Sequence, residues 1–309
     1  MAWSAADIPD LSGKTALVTG ANSGLGLRTA QVLSDRGAHV LMACRSVERG
    51  RAALATVTGA AELLDLDLAD LASVRAAAAQ VRERTGDRLD LLVNNAGVMV
   101  PPRSTTADGF ELQFGTNHLG HAALTWLVMP ALRGVPGARV VTLSSIAHRN
   151  QGFDLDDLDF QHRGYRATAA YAQSKAANLL FAFELHRRAQ AAGLDLVSVA
   201  AHPGLASTEL ASNSARARMA GPVGRGVAAV VRAGTRLVTA PVDRAVLPQL
   251  YAATAPGVTG GQYYGPTGPG EMFGAVGPAK PRSLVLDPTI GRTLWVRTAE
   301  LTGVSPDPA

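Results

Sequence analysis

Residues 14–26 read Lys-Thr-Ala-Leu-Val-Thr-Gly-Ala-Asn-Ser-Gly-Leu-Gly. The run Lys14–Thr19 has the length and branched-aliphatic content of a buried strand, and a helical pattern follows the glycines as far as Arg36, with Gly37 as its stop. Between strand and helix stand Gly20, Asn22, Ser23, Gly24, Leu25 and Gly26. Glycines at such a turn let the backbone bend sharply and approach a pyrophosphate, which rests on the helix N-terminus. The spacing Gly-x-x-x-Gly-x-Gly differs from the commoner Gly-x-Gly-x-x-Gly. Working outward, His39–Ala43, Glu62–Leu66, Leu89–Val93, Arg139–Leu143, Leu196–Ala201 and Gly261–Tyr264 read as further strands. Helical stretches alternate with them, about Asp70–Arg84 and Ala169–Ala191 among them. That alternation predicts right-handed βαβ units and a doubly wound α/β parallel sheet of about seven strands, with helices on both faces.

Composition agrees. Hydrophobic residues make up 47% of 309 and aromatics only 5%, an aliphatic core suited to a covered parallel sheet. The chain is read as one dinucleotide-binding and catalytic domain over 1–309. A substrate lid is expected at about 204–245 and a Pro/Gly-rich tail at about 256–309. A lone Cys44 excludes an intrachain disulfide. Met1 to Gly13 has neither the basic start nor the apolar core of a secretory signal. The uncharged stretch Leu112–Leu132 would have to bury Gln113, Asn117, His118 and His121 in lipid, so it reads as a buried helix and not a membrane span. The expected location is cytoplasmic. A net charge of +4 is carried by scattered arginines with no nucleic-acid motif. Their densest group, Arg216–Arg236, reads as a solvated face or a lid drawing anionic ligands.

Ligands of open sheets bind at the carboxyl ends of the strands. After the second strand, where an acid would hold the ribose hydroxyls of NAD, the chain has Cys44-Arg45-Ser46. A guanidinium there suits a 2′-phosphate, so NADP(H) is favoured over NAD(H). Asp67 and Leu68 follow the third strand, and Asn94, Asn95, Ala96 and Gly97 the fourth; Asp67, Leu68, Asn94, Ala96 and Gly97 are taken as cofactor contacts.

Tyr171 and Lys175 stand at i and i+4, one turn apart on one helical face. An adjacent ammonium stabilises a phenolate and fits the phenol for acid–base work. With three lysines among 29 basic residues, a lysine at that spacing is selective.

On these motifs residues 12–265 resemble the short-chain dehydrogenase/reductase family, which implies a Rossmann-type fold. The resemblance implies that Tyr171 exchanges the proton and that Lys175 holds the nicotinamide ribose. It further implies that Ser145 bonds the substrate oxygen, that Asn117 holds a water, and that Pro203, Gly204 and Thr208 contact the nicotinamide amide. Ser145 and Tyr171 are 26 residues apart, a long spacing filled by Asp154, Asp156, Asp157 and Asp159. With Asn117-His118-Leu119-Gly120-His121 and His202-Pro203-Gly204, that spacing resembles the retinol dehydrogenase-like and protochlorophyllide reductase-like branch. The expected function is NADP(H)-dependent interconversion of an alcohol and a carbonyl, on a small, lipophilic substrate, with a homo-oligomer as the family's common state. A non-catalytic nucleotide sensor is the rival reading, and such proteins commonly lose the tyrosine, lysine or glycine loop, all of which this chain retains; a reductase of carrier-bound acyl chains rests on Arg216–Arg236 alone.

Overall fold

The computed structural model describes residues 2–150, 152–205 and 240–308. Thr208, the Arg216–Arg236 group and most of the expected lid therefore lie outside the described residues.

Seven strands run parallel: β1 (Thr15–Thr19), β2 (His39–Cys44), β3 (Ala61–Asp65), β4 (Leu91–Asn94), β5 (Ala138–Leu143), β6 (Leu196–Ala201) and β7 (Tyr263–Pro266). An eighth, β8 (Val276–Pro278), pairs antiparallel with β7, and the sheet order is β3-β2-β1-β4-β5-β6-β7-β8. The chain winds out from β1 to β3, then crosses to β4 and winds the other way. That reversal opens a crevice at the carboxyl ends of β1 and β4. Side chains alternate between faces, as strand geometry demands. Leu17, Leu41 and Leu92 enter one core, while Ala16, Val18, Val40 and Val93 enter the other.

The main helices are α1 (Gly24–Asp35), α2 (Val47–Leu54), α3 (Leu71–Thr85), a composite α4, α5 (Ala167–Ala191), α6 (Leu247–Thr254) and α7 (Pro288–Thr302). Within α4, α-helical Leu112–Phe114 and Gly120–Leu127 flank a π-helical turn over Gly115–Leu119. The uncharged stretch is a buried helix as expected, but an interrupted one, and the interruption places Asn117. Among the described residues no helix is long and apolar enough to cross a membrane.

Within the expected Pro/Gly-rich tail, the strand read at Gly261–Tyr264 is β7, while β8 is an addition to the expected elements, and the tail beyond them holds α7. Asp287 caps α7 by accepting from the Thr289 amide at 2.7 Å, and Gly303 in the left-handed region closes it. Trp295 of α7 stacks on Phe181 of α5 at 5.3 Å and meets Trp126 edge-on at 4.9 Å. Aromatic pairs of this kind add about 0.5–1.5 kcal/mol each beyond the area they bury. They fasten α7 over the helix that carries Tyr171 and Lys175.

Candidate active site

At the β1–β4 crevice lies a cavity of about 720 Å³. One wall is the turn from β1 into α1, with Gly20, Asn22, Ser23, Gly24, Leu25 and Gly26 all lining it. Ser23, the N-cap of α1, spends no side-chain hydrogen bond on the helix, so the first amides of α1 lack a side-chain cap. Glycine is required at two places. Gly20 has φ +67°, and a Cβ on Gly26 would stand 2.3 Å from the Gly20 carbonyl oxygen and 2.5 Å from Asn95 Nδ2. Asn95 Nδ2 in turn donates to the Thr19 carbonyl at 2.7 Å, tying the β4 turn to the glycine loop. Gly26 is helical, so Gly26→Ala would gain helix propensity, but the backbone contact outweighs it. The variant is expected to lose about 1–3 kcal/mol of stability. Thermal melts check this, and an unchanged or raised Tm would show that the loop can give way.

Past the end of β2, Arg45 lines the cavity and Arg49 joins it from α2. Both are exposed, and neither pairs with a carboxylate among the described residues. Arg49 was not anticipated, because only the helix Val47–Leu54 brings it back to the residue four before it. Cys44 is buried, and burial pushes its thiol up to about 11, which leaves it an inert small hydrophobe. Asp67, Leu68, Ala96 and Gly97 line the cavity as expected. Asn94 does not. As the last residue of β4 it is fully buried, and its Nδ2 donates to Thr125 Oγ1 at 3.0 Å on the far side of the strand. Asn95, one residue on, takes the place on the wall.

Tyr171, Lys175 and Ser145 meet on the opposite wall. Lys175 Nζ lies 5.8 Å from the centre of the Tyr171 ring and donates to the Leu143 carbonyl at 3.1 Å. Burial pushes the Tyr171 phenol up to about 12, against a hydrogen bond from Ser145 that draws it down. Ser145 also accepts from the Ala147 amide at 3.2 Å as the cap of a short 3-10 turn. Asn117 does not line the cavity but stands behind it. Its Oδ1 accepts from the Val98 amide at 2.8 Å, while its Nδ2 donates to the Val98 carbonyl at 2.9 Å and to Ser174 Oγ at 3.0 Å. A Cβ on Gly97 would touch both Asn117 Oδ1, at 3.0 Å, and Lys175 Nζ, at 3.6 Å.

His121 braces the π turn from below. Thr19 Oγ1 accepts the Asn95 and Ala96 amides, each at 2.9 Å, so its own hydrogen goes to the nearer of its two acceptors, His121 Nε2 at 2.9 Å and not the Val93 carbonyl at 3.4 Å. His121 Nδ1 then carries the proton and donates it to the Asn117 carbonyl at 3.0 Å. Burial holds His121 down to about 4, so the ring stays neutral.

Lys175 is 4% exposed, and burial lowers its pKa from 10.5 to about 8. Below pH 8 the folded chain carries a desolvated charge. From pH 8 to 10.5 only the unfolded chain keeps the proton, so this group's contribution to stability rises with pH across that interval. Lys175→Met should therefore stabilise the cofactor-free protein at pH 7 by about 3 kcal/mol, because Asn178 Nδ2 still satisfies the Leu143 carbonyl. In melts across pH the gain should fade towards pH 10.5. A variant less stable than wild type at pH 7 would refute the desolvated-charge account.

Pro203 and Gly204 line the cavity as expected, with Leu205 beside them. Gly204 has φ +69°, and a Cβ there would meet the Met272 carbonyl at 2.3 Å. The remaining wall is apolar and was not anticipated: Val98, Met99, Pro101 and Ile146. The donor set fits a dinucleotide: a glycine cradle at an uncapped helix start, two guanidiniums with no carboxylate partner among the described residues at one end, and a phenol with an ammonium at the other.

Comparison with known proteins agrees with this geometry. The family profile described as short chain dehydrogenase matches residues 14–218. Human retinol dehydrogenase 13 is 39% identical over 307 residues, covering 95% of this chain and 86% of the relative. Mouse polyprenol dehydrogenase is 38% identical over 311 residues, covering 96% and 86%. A crystal structure of an uncharacterized protein from Mycobacterium Paratuberculosis superposes with a TM-score of 0.82 at 39% identity, covering 99% of each chain.

Proposed function

The chain belongs to the short-chain dehydrogenase/reductase family, in its retinol dehydrogenase-like branch, and from that premise we propose that it is an NADP(H)-dependent reductase or dehydrogenase of a lipophilic alcohol–carbonyl pair. As a member it is an oxidoreductase acting on CH–OH groups with NAD(P). A nicotinamide dinucleotide, when bound, supplies or accepts the hydride. The chain's residues do the rest. Tyr171 holds its proton throughout the neutral range, so it is poised to donate to a carbonyl oxygen as negative charge develops there. Ser145 steadies that oxygen by a hydrogen bond. Lys175 keeps a cation beside the phenol, and Asn117 and His121 hold the backbone on which these groups are placed. In oxidation the same proton returns to Tyr171.

The observation that carries the reading is the convergence of Tyr171, Lys175 and Ser145 on the cavity that the glycine loop also lines. Preference for NADP(H) is supported by Arg45 and Arg49 at its far end. The lipophilic class is supported by the apolar wall of Val98, Met99, Pro101 and Ile146, and by relatives named for retinol and polyprenol, both long apolar alcohols. The test is a spectrophotometric screen of aldehydes and ketones with NADPH, and of alcohols with NADP. Turnover should rise with substrate apolarity. Absence of turnover with every carbonyl and alcohol would refute the proposal.

A further inference from the structure

The segment between Ser145 and Tyr171 is acidic in sequence, and two of its acids, Asp157 and Asp159, are spent on backbone amides. Asp157 is 6% exposed and accepts the amides of Gln161, His162 and Arg163. Asp159 accepts the amide of Glu111, the residue that caps α4. Further along, Tyr165 donates its hydroxyl to Glu111 Oε1 at 3.0 Å. Gln113 Nε2 donates to that same hydroxyl at 3.3 Å and to the Ala167 carbonyl at 2.9 Å. A carbonyl cannot face an amide oxygen, so the Ala167 contact fixes which way the Gln113 amide points. Its Oε1 is thereby aimed at the cavity wall, where it accepts the Val100 amide at 2.7 Å.

Val100 is unusual. Its φ is +52°, the left-handed region, where a β-branched residue is strained. Its neighbours Met99 and Pro101 line the cavity on the apolar side. A strained residue persists only where its surroundings over-determine it. Here the constraint on Val100 itself includes a fully buried side chain, Gln113, which accepts its amide, beside the Asn117 clamp on Val98.

We propose that Gln113, held by Tyr165 and Glu111, is the positioning residue that sets the shape of the substrate wall, and that the segment 152–166 exists to brace it. The assignment of this wall to the substrate rests on the oxidoreductase reading above. Gln113 touches no reacting atom. Its effect on the wall runs through Val100, because without the Gln113 acceptor the valine relaxes out of the left-handed region and carries Met99 and Pro101 with it.

The test compares wild type, Gln113→Ala, Tyr165→Phe and the double variant Gln113→Ala/Val100→Gly. Glycine adopts a positive φ without strain, so it should hold the wall with no help from Gln113. With straight-chain aldehydes of rising length and NADPH, Gln113→Ala should raise KM by about ten-fold and alter the preferred length, with kcat and NADPH affinity within about two-fold. Tyr165→Phe should do the same to a smaller degree, and serves if Gln113→Ala fails to fold. Val100→Gly should restore KM in the Gln113→Ala background. Unchanged KM in both single variants, or no rescue by glycine, overturns the proposal. Hydrogen exchange of the Val100 amide, read by mass spectrometry without substrate, separates the two readings. Faster exchange in Gln113→Ala supports the brace even if no aldehyde is reduced, and unchanged exchange rejects it.

Discussion

Tyr171→Phe is expected to abolish carbonyl reduction while leaving the fold and the binding of NADPH intact. The substitution removes one oxygen and almost no volume. The ring that packs 5.8 Å from Lys175 Nζ remains, and so does the hydrogen bond from Lys175 to Leu143. What is lost is the only phenolic proton that lines the cavity among the described residues. Proton transfer by a positioned side chain is worth about 10²–10⁴ in rate, so kcat should fall by about that factor. Dissociation constants for NADPH should stay within about two-fold, since the phenol is an acid in the reaction and not an anchor for the phosphates. Stopped-flow or steady-state absorbance gives kcat, and titration calorimetry gives affinity. Near-normal turnover by Tyr171→Phe would reject Tyr171 as the acid. Equal losses of turnover and NADPH affinity would recast it as a binding residue. Ser145→Ala should cost less, because Ser145 supports the oxygen without supplying the proton.

The features that sequence made legible are those encoded by spacing within one element. Tyr171 and Lys175 share a helix, so i and i+4 suffice to place them together. The glycine loop lies between a strand and a helix of unmistakable pattern, and its glycines meet a steric demand that the structure bears out at Gly20 and Gly26. Features that depend on parity or on distant elements were hidden. Asn94 and Asn95 differ by one residue and therefore by one face of the sheet, and β4 had to be seen to end at Asn94 before Asn95 could be placed on the wall. Arg49 needed α2, an eight-residue helix too short and polar to announce itself, with Gly50 inside it packed against Leu63. The strand Val276–Pro278 lies among prolines and glycines, where periodicity carries no signal. The acids of 154–159 carry no role in the sequence, because charge alone does not say that Asp157 bonds three backbone amides of its own segment.

Removing the two guanidiniums is expected to reverse the preferred cofactor. Arg45 and Arg49 line the cavity four residues apart, where β2 ends and α2 begins, and both are free of carboxylate partners among the described residues. An unpaired pair of cations near the sheet's carboxyl edge matches a doubly charged phosphate monoester, which accepts forked hydrogen bonds from each. Hydrogen bonds to charged groups are worth about 1.5–3 kcal/mol each. Arg45→Ala with Arg49→Ala should therefore weaken NADPH by about 10²–10⁴-fold, less where solvent screens the exposed side chains. NADH has no phosphate at that position, so its dissociation constant should change by no more than about three-fold. The single variants separate the contributions: Arg45, directly after the strand, should matter more than Arg49, which reaches in from α2. Salt supplies an independent check. NADPH affinity of the wild type should fall steeply with ionic strength, and that slope should flatten in the double variant. Parallel losses for NADPH and NADH would show that the arginines hold the loop and not the phosphate. Wild-type preference for NADH would reject the assignment outright, and would move the search for the ribose-binding group to Asp65 and Asp67 at the end of β3.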